Sequence, residues 1–150
     1  MCLISPKKFE AKAWKSVDGK MAPMWYDTTC YKVMRVRPGW PFINNIYSPI
    51  RWMRWNKFKT YSTGFDEPEI INGVVDGRCY YSFMNKEDAI ALCNYMNGCA
   101  TSGCHVYRVY ECTIPANTNF IYEGYYEMPN GGLSPCFASE KMKIRKCVYK

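Results

Sequence analysis

Asn85-Lys86-Glu87-Asp88-Ala89-Ile90-Ala91-Leu92-Cys93-Asn94-Tyr95-Met96-Asn97-Gly98 is the stretch whose reading decides the fold class. Asn85 supplies an N-cap, Glu87 and Asp88 put negative charge against the first turn, and Gly98 reads as the stop. Ala89, Leu92, Cys93 and Met96 fall at helical spacing and form one apolar stripe to bury. This is the principal helix, over about residues 86–97.

Around it the pattern changes to that of strands. Cys79 to Phe83 is a short, nearly continuous apolar strand, and His105 to Ile114 is a long one stopped by Pro115. Asn119 to Tyr122 reads as another strand. Residues 128–136, with Pro129, Gly131, Gly132 and Pro135, read as a loop. Met142, Ile144 and Val148 alternate with Lys143, Arg145 and Cys147 in a final half-exposed strand. Further upstream, Cys30 to Arg37 alternates and is ended by Pro38-Gly39-Trp40-Pro41. Residues 63–78 carry Gly64, Pro68, Gly73 and Gly77 with Asp66, Glu67 and Glu69, and read as a long acidic connection. Residues 1–29 show no period and form an irregular lead-in. The expectation is a single compact α+β domain over residues 30–150, a largely antiparallel sheet with one helix.

The chain has 150 residues, of which 48% are hydrophobic, enough for one buried core. No apolar run approaches the ~20 residues of a membrane span, so no membrane partner is expected. The opening Met1-Cys2-Leu3-Ile4-Ser5-Pro6-Lys7-Lys8 is too short in apolar residues for a signal peptide. Nine cysteines, an odd number, fit reduced thiols and a cytoplasmic setting better than a disulfide framework. Cys93, Cys99, Cys104 and His105 lack the tight knuckle spacing of a zinc site, so no metal and no cofactor are assigned. Buried small hydrophobes are the expected role of these thiols.

Charge is segregated along the chain. Residues 1–60 hold 12 Lys/Arg against 3 Asp/Glu, residues 61–140 hold 3 against 10, and residues 141–150 hold 5 against none. All five tryptophans (14, 25, 40, 52 and 55) lie in the first block. The densest parts are Arg35-Val36-Arg37-Pro38-Gly39-Trp40 and Arg51-Trp52-Met53-Arg54-Trp55-Asn56-Lys57-Phe58-Lys59. As a strand, residues 50–55 put Arg51, Met53 and Trp55 on one face and Trp52 and Arg54 on the other. As a helix, they make Arg51 and Trp55 neighbours. Either arrangement sets guanidinium groups beside indoles, which suits a ligand with a flat ring and a phosphate. It equally suits core tryptophans rimmed by stacked arginines. In the first strand Tyr31, Val33 and Arg35 share a face. An inward Arg35 is either functional or held in a buried ion pair.

Several segments occur together in order: Cys79-Tyr80-Tyr81-Ser82-Phe83, Glu87-Asp88-Ala89, Val109-Tyr110-Glu111-Cys112-Thr113-Ile114-Pro115 and Ala138-Ser139-Glu140-Lys141. With the opening Met1-Cys2-Leu3, the chain resembles a loose family of short, mostly uncharacterised proteins from phages, prophages and gut bacteria. Members of that family often show Gly-apolar-His-Ser-Phe where this chain has residues 79–83. Tyr81 stands in place of the histidine and weakens any catalytic role there. The resemblance implies a small cytosolic protein acting on a host, in the manner of counter-defence proteins.

No catalytic residue is assigned. The chain has one His and shows no Ser–His–Asp arrangement, Walker-type glycine loop or nucleophile elbow. One enzymatic reading stays open: an early-strand arginine, Ser48, and Glu123 or Glu127 resemble, in order only, the ADP-ribosyltransferase arrangement. The favoured reading is capture without chemistry of an anionic nucleotide, such as a cyclic immune messenger. Its residues are Arg35, Arg37, Trp40, Arg51, Trp52, Arg54 and Trp55, helped by Tyr80 and Tyr81, with Lys57 and Lys59 as an outer ring. The remaining alternatives are a nucleic acid or a host defence protein as partner. A homo-oligomer would give a small domain room for a shared pocket.

Overall fold

The computed structural model describes residues 27–38, 44–47, 54–63, 70–71, 74–75, 79–99, 106–116, 118 and 121–150. In chain order the elements are β1 (Thr28–Pro38), β2 (Asn44–Tyr47), β3 (Arg54–Trp55), β4 (Thr60–Ser62), β5 (Ile70–Ile71), β6 (Val74–Val75) and β7 (Tyr80–Phe83). Then come α1 (Lys86–Cys99), β8 (Val106–Ile114), β9 (Ile121–Glu127), β10 (Leu133–Ser139) and β11 (Lys141–Tyr149). The main sheet runs β4-β11-β8-β1-β7-β10-β9, with β2 added to β1 and β3 to β2. Each of these pairs is antiparallel, and β5 and β6 form a separate small ladder. The result is one compact α+β domain, a large antiparallel sheet carrying one helix. No helix among the described residues is long and apolar enough to cross a membrane.

Both faces of the sheet carry a core, as period-2 alternation in the central strands requires. On one face α1 lays Ala89, Leu92 and Cys93 over Val33, Phe83, Val109 and Tyr126. Phe83 and Tyr126 meet edge to face, with ring centroids 5.8 Å apart. On the other face Cys30, Met34, Val36, Trp55, Cys112, Phe137, Met142 and Ile144 form a second cluster. Trp55 lies 4.5 Å from Tyr61 of β4 and 5.2 Å from Tyr80 of β7, ring to ring. In a flat sheet β4 and β7 stand four strand spacings apart, about 19 Å. One indole touching both shows that the sheet curls around this face, with Trp55 as the plug.

Several sequence expectations need correction. Pro135 does not mark a loop, because β10 runs through it: the pairing with β7 begins only at Cys136, and Pro135 offers its carbonyl to the Met84 N–H at 3.1 Å. A proline beyond the paired stretch costs that ladder no donor. The long connection at residues 63–78 contains β5 and β6, and β9 extends to Glu127 rather than ending at Tyr122. The first strand begins at Thr28, inside the presumed lead-in, whose residues 1–26 lie outside the described ones. α1 continues through Gly98 to Cys99. Its last turn is tied down by tertiary bonds: Asn97 Nδ2 donates to the Tyr107 carbonyl at 3.0 Å, and the Tyr107 N–H donates to Asn97 Oδ1 at 2.8 Å. Such anchoring outweighs the roughly 1 kcal/mol preference against glycine in a helix.

Asn97 thus acts as a short surrogate strand beside β8, where the pairing with β11 reaches only to Val109. An Asn97→Ala change removes both bonds and is expected to lower unfolding free energy by about 1–2 kcal/mol. Denaturant titration checks this, and an unchanged midpoint would refute it.

Two buried acids set an alkaline limit. Burial, reinforced by Cys147, pushes the Cys93 thiol up from its usual 9.0 to about 11. Burial likewise pushes the Tyr110 phenol up to about 12, against the opposing effect of Arg108. Both are neutral in the folded chain and lose their protons sooner when unfolded. Their contribution to stability is therefore intact below pH 9.0 and is lost as pH rises toward 12. Denaturation midpoints measured across that range should fall with pH, and less steeply in Tyr110→Phe.

A candidate anion-binding face at the end of the sheet

Directly opposed residues of an antiparallel ladder share a face, with Cβ atoms about 5 Å apart. Arg35 in β1 opposes Tyr107 in β8 on one side and Tyr47 in β2 on the other, and Tyr47 in turn opposes Arg54 in β3. The row Tyr107–Arg35–Tyr47–Arg54 therefore alternates phenol and guanidinium across four strands, a span of about 14 Å. Arg37 stands two residues further along β1 on this same face. Arg35 is only 6% exposed, while Arg37 and Arg54 are exposed and Tyr47 and Tyr107 are half-buried. Tyr107 is the residue that Asn97 clamps, so α1 fixes one end of the row.

The next row along these strands has the opposite character. Val36, Ile46 and Trp55 oppose one another and are 1%, 4% and 2% exposed. Adjacent residues thus separate completely: the side chain of Arg54 leaves toward solvent and that of Trp55 enters the curled core. Trp55 is a packing residue, which corrects its place in the expected ligand site. Its indole Nε1 is buried without a hydrogen-bond partner among the described residues. Tyr80 accompanies Trp55 on the core face. Tyr81 is buried on the helix face, and its carbonyl accepts a 2.7 Å bond from Lys32 Nζ. The tyrosine pair therefore does not act as one platform.

Lys57 and Lys59 are exposed in the turn after β3, with Lys59 Nζ 5.2 Å from the centre of the Tyr61 ring. Between them Phe58 is 68% exposed at φ 63, held by its N–H to the Ile144 carbonyl at 2.8 Å. Trp40, Arg51 and Trp52 lie outside the described residues. Of the expected set, the structure gathers Arg35, Arg37 and Arg54 on one face, and adds Tyr47 and Tyr107. Neither tyrosine was recognisable beforehand, because their place depends on cross-strand register.

Of the positions in the ADP-ribosyltransferase ordering, Arg35 and the two glutamates do not share a face. Glu123 opposes Phe137 and leaves the core face of β9 along with Ile121, whereas Arg35 leaves the helix face of β1. Glu127 follows the alternation of Glu123, and Ser48 lies outside the described residues. No cluster of three metal-ligating side chains occurs among the described residues. Comparison with known protein families, curated proteins and solved structures finds no match.

Proposed function

We infer that the protein captures an anionic, ring-bearing small molecule of the nucleotide class and holds it without chemistry. One observation carries this reading, the alternating Tyr107–Arg35–Tyr47–Arg54 row with a guanidinium almost fully withdrawn from water. A phosphate answers an arginine fork with paired, charge-assisted hydrogen bonds, strongest where water is excluded. The phenols that flank Arg35, each about 5 Å from it, offer faces for a base, each stack adding ~1–3 kcal/mol. Exposed Arg37 and Arg54 attract the anion and Arg35 fixes it. The surplus of positive charge in residues 1–60 supports the same polarity.

The resemblance to short phage proteins makes a host signalling nucleotide the proposed ligand and counter-defence the proposed role. Isothermal titration against cyclic dinucleotides, cyclic trinucleotides and cyclic ADP-ribose isomers tests the reading. Micromolar or tighter binding of one of them is expected, with the nucleotide recovered chemically unchanged after denaturing the complex. Absence of heat with every member overturns sequestration, and recovery of an altered product replaces it with catalysis. A gel shift with DNA and RNA at two salt concentrations separates polymer binding, whose affinity falls steeply with salt.

A further inference from the structure

On the core face, away from the Tyr–Arg row, four reactive or polar side chains meet without any part in nucleotide capture. Cys30 of β1 directly opposes Cys112 of β8, and both are free thiols with no exposure to solvent. Opposed residues in an antiparallel pair have Cα atoms about 4.5 or 5.5 Å apart, within the span of roughly 4.4–6.8 Å that a disulfide bridges. Lys32, two residues along the same face, is 2% exposed and anchored by its bond to the Tyr81 carbonyl. Ser82 of β7 is fully buried beside Cys30, its hydroxyl without a hydrogen-bond partner among the described residues.

Two thiols in one core would ordinarily be equivalent fillers, but these differ. Burial pushes the Cys30 thiol up, yet the neighbouring Cys112 and Ser82 side chains and the Lys32 charge outweigh it and leave the group below its ordinary value. Burial and the neighbouring Cys30 hold Cys112 well above its own. Of the two opposed thiols, Cys30 is the one that gives up its proton more readily. That division of labour suits an attacking and a resolving thiol.

The geometry points to a peroxide-oxidisable dithiol in which Cys30 attacks and Cys112 resolves, closing a disulfide between β1 and β8. The Cys30 sulfur takes one oxygen of hydrogen peroxide as the O–O bond breaks. The other oxygen leaves as hydroxide and collects the proton that Cys30 shed, giving water and a sulfenic acid. The Cys112 sulfur then displaces the sulfenic oxygen: the S–S bond forms, the S–O bond breaks, and the thiol proton leaves with that oxygen as a second water. The two sulfurs together lose the two electrons that the peroxide gains. Full burial restricts the oxidant to hydrogen peroxide or a comparably small hydroperoxide.

The test treats the intact folded protein with hydrogen peroxide, unfolds it in N-ethylmaleimide and maps the unreduced digest by mass spectrometry. A peptide pair joined through residues 30 and 112, two hydrogens lighter than its parts, is the expected product. Cys112→Ala should instead leave a sulfenic acid at Cys30 that dimedone captures. Lys32→Met should slow formation of the link at least about tenfold, because the anion loses its counter-charge. Exposed Cys99 serves as the internal reference for oxidation. Recovery of residues 30 and 112 as maleimide adducts after Cys99 is consumed overturns the proposal, as does linkage of either to another cysteine. The wild-type result decides even if a variant fails to fold.

Discussion

Arg35→Met is expected to weaken binding of the captured nucleotide about 30- to 100-fold per folded molecule. The magnitude follows from losing one hydrogen bond between a charged donor and phosphate, about 1.5–3 kcal/mol. Methionine is unbranched and of similar reach, so it fills the space that the arginine stem occupies at 6% exposure. Removing one partner of a buried charged contact destabilises whatever else that group does, so stability alone says nothing of binding. Affinity per folded molecule therefore separates a binding arginine from a purely structural one. Arg35→Lys should fall between, since lysine keeps the charge but not the planar fork. Titration calorimetry with the tightest ligand of the panel gives the affinity ratio. Equal affinities for wild type and Arg35→Met would remove Arg35 from the site.

Trp55→Ala is expected to have the largest effect on stability, a loss of about 3–5 kcal/mol in unfolding free energy. The indole is 2% exposed and bridges Tyr61 and Tyr80 across the curl, so truncation opens a void that the sheet cannot close by a small shift. Affinity per folded molecule should remain that of wild type, because Arg54 and Trp55 leave opposite faces of β3. Trp55→Phe should recover much of the stability. Denaturant unfolding followed by circular dichroism provides the numbers. A normally stable Trp55→Ala protein that no longer binds nucleotide would return Trp55 to the ligand site.

These two substitutions mark the boundary of what the sequence makes legible. Local signals placed α1 well: the Asn85 cap, the acidic first turn and the Ala89–Leu92–Cys93 stripe each act within a few residues. The alternation in β1 likewise placed Arg35 on an inward face, where it is found. Gly98 misled because the Asn97–Tyr107 bonds that carry the helix past it join residues ten apart. Pro135 misled because its strand has no β7 partner at that point. Asn72-Gly73 between Ile70–Ile71 and Val74–Val75 is a hairpin signal that reading the whole segment as an acidic loop overlooked.

The candidate site was only half legible for the same physical reason. Composition shows that residues 30–60 are rich in arginine and tryptophan, but not which neighbours share a face. A one-residue step along β3 exchanges solvent for core, and only the registers Arg35–Tyr47 and Tyr47–Arg54 say which way each side chain goes. Tyr107, more than 70 positions from Arg35, enters through the long β1–β8 ladder.

The most direct measurement is a nucleotide titration of isotope-labelled protein, following the arginine Nε–Hε, tyrosine ring and tryptophan indole resonances together by NMR. Saturable shifts at Arg35, Tyr47 and Tyr107, with the Trp55 indole resonance unmoved, are the predicted result. Shifts centred on Trp55, Lys57 and Lys59, with the Arg35 resonance stationary, would contradict the account.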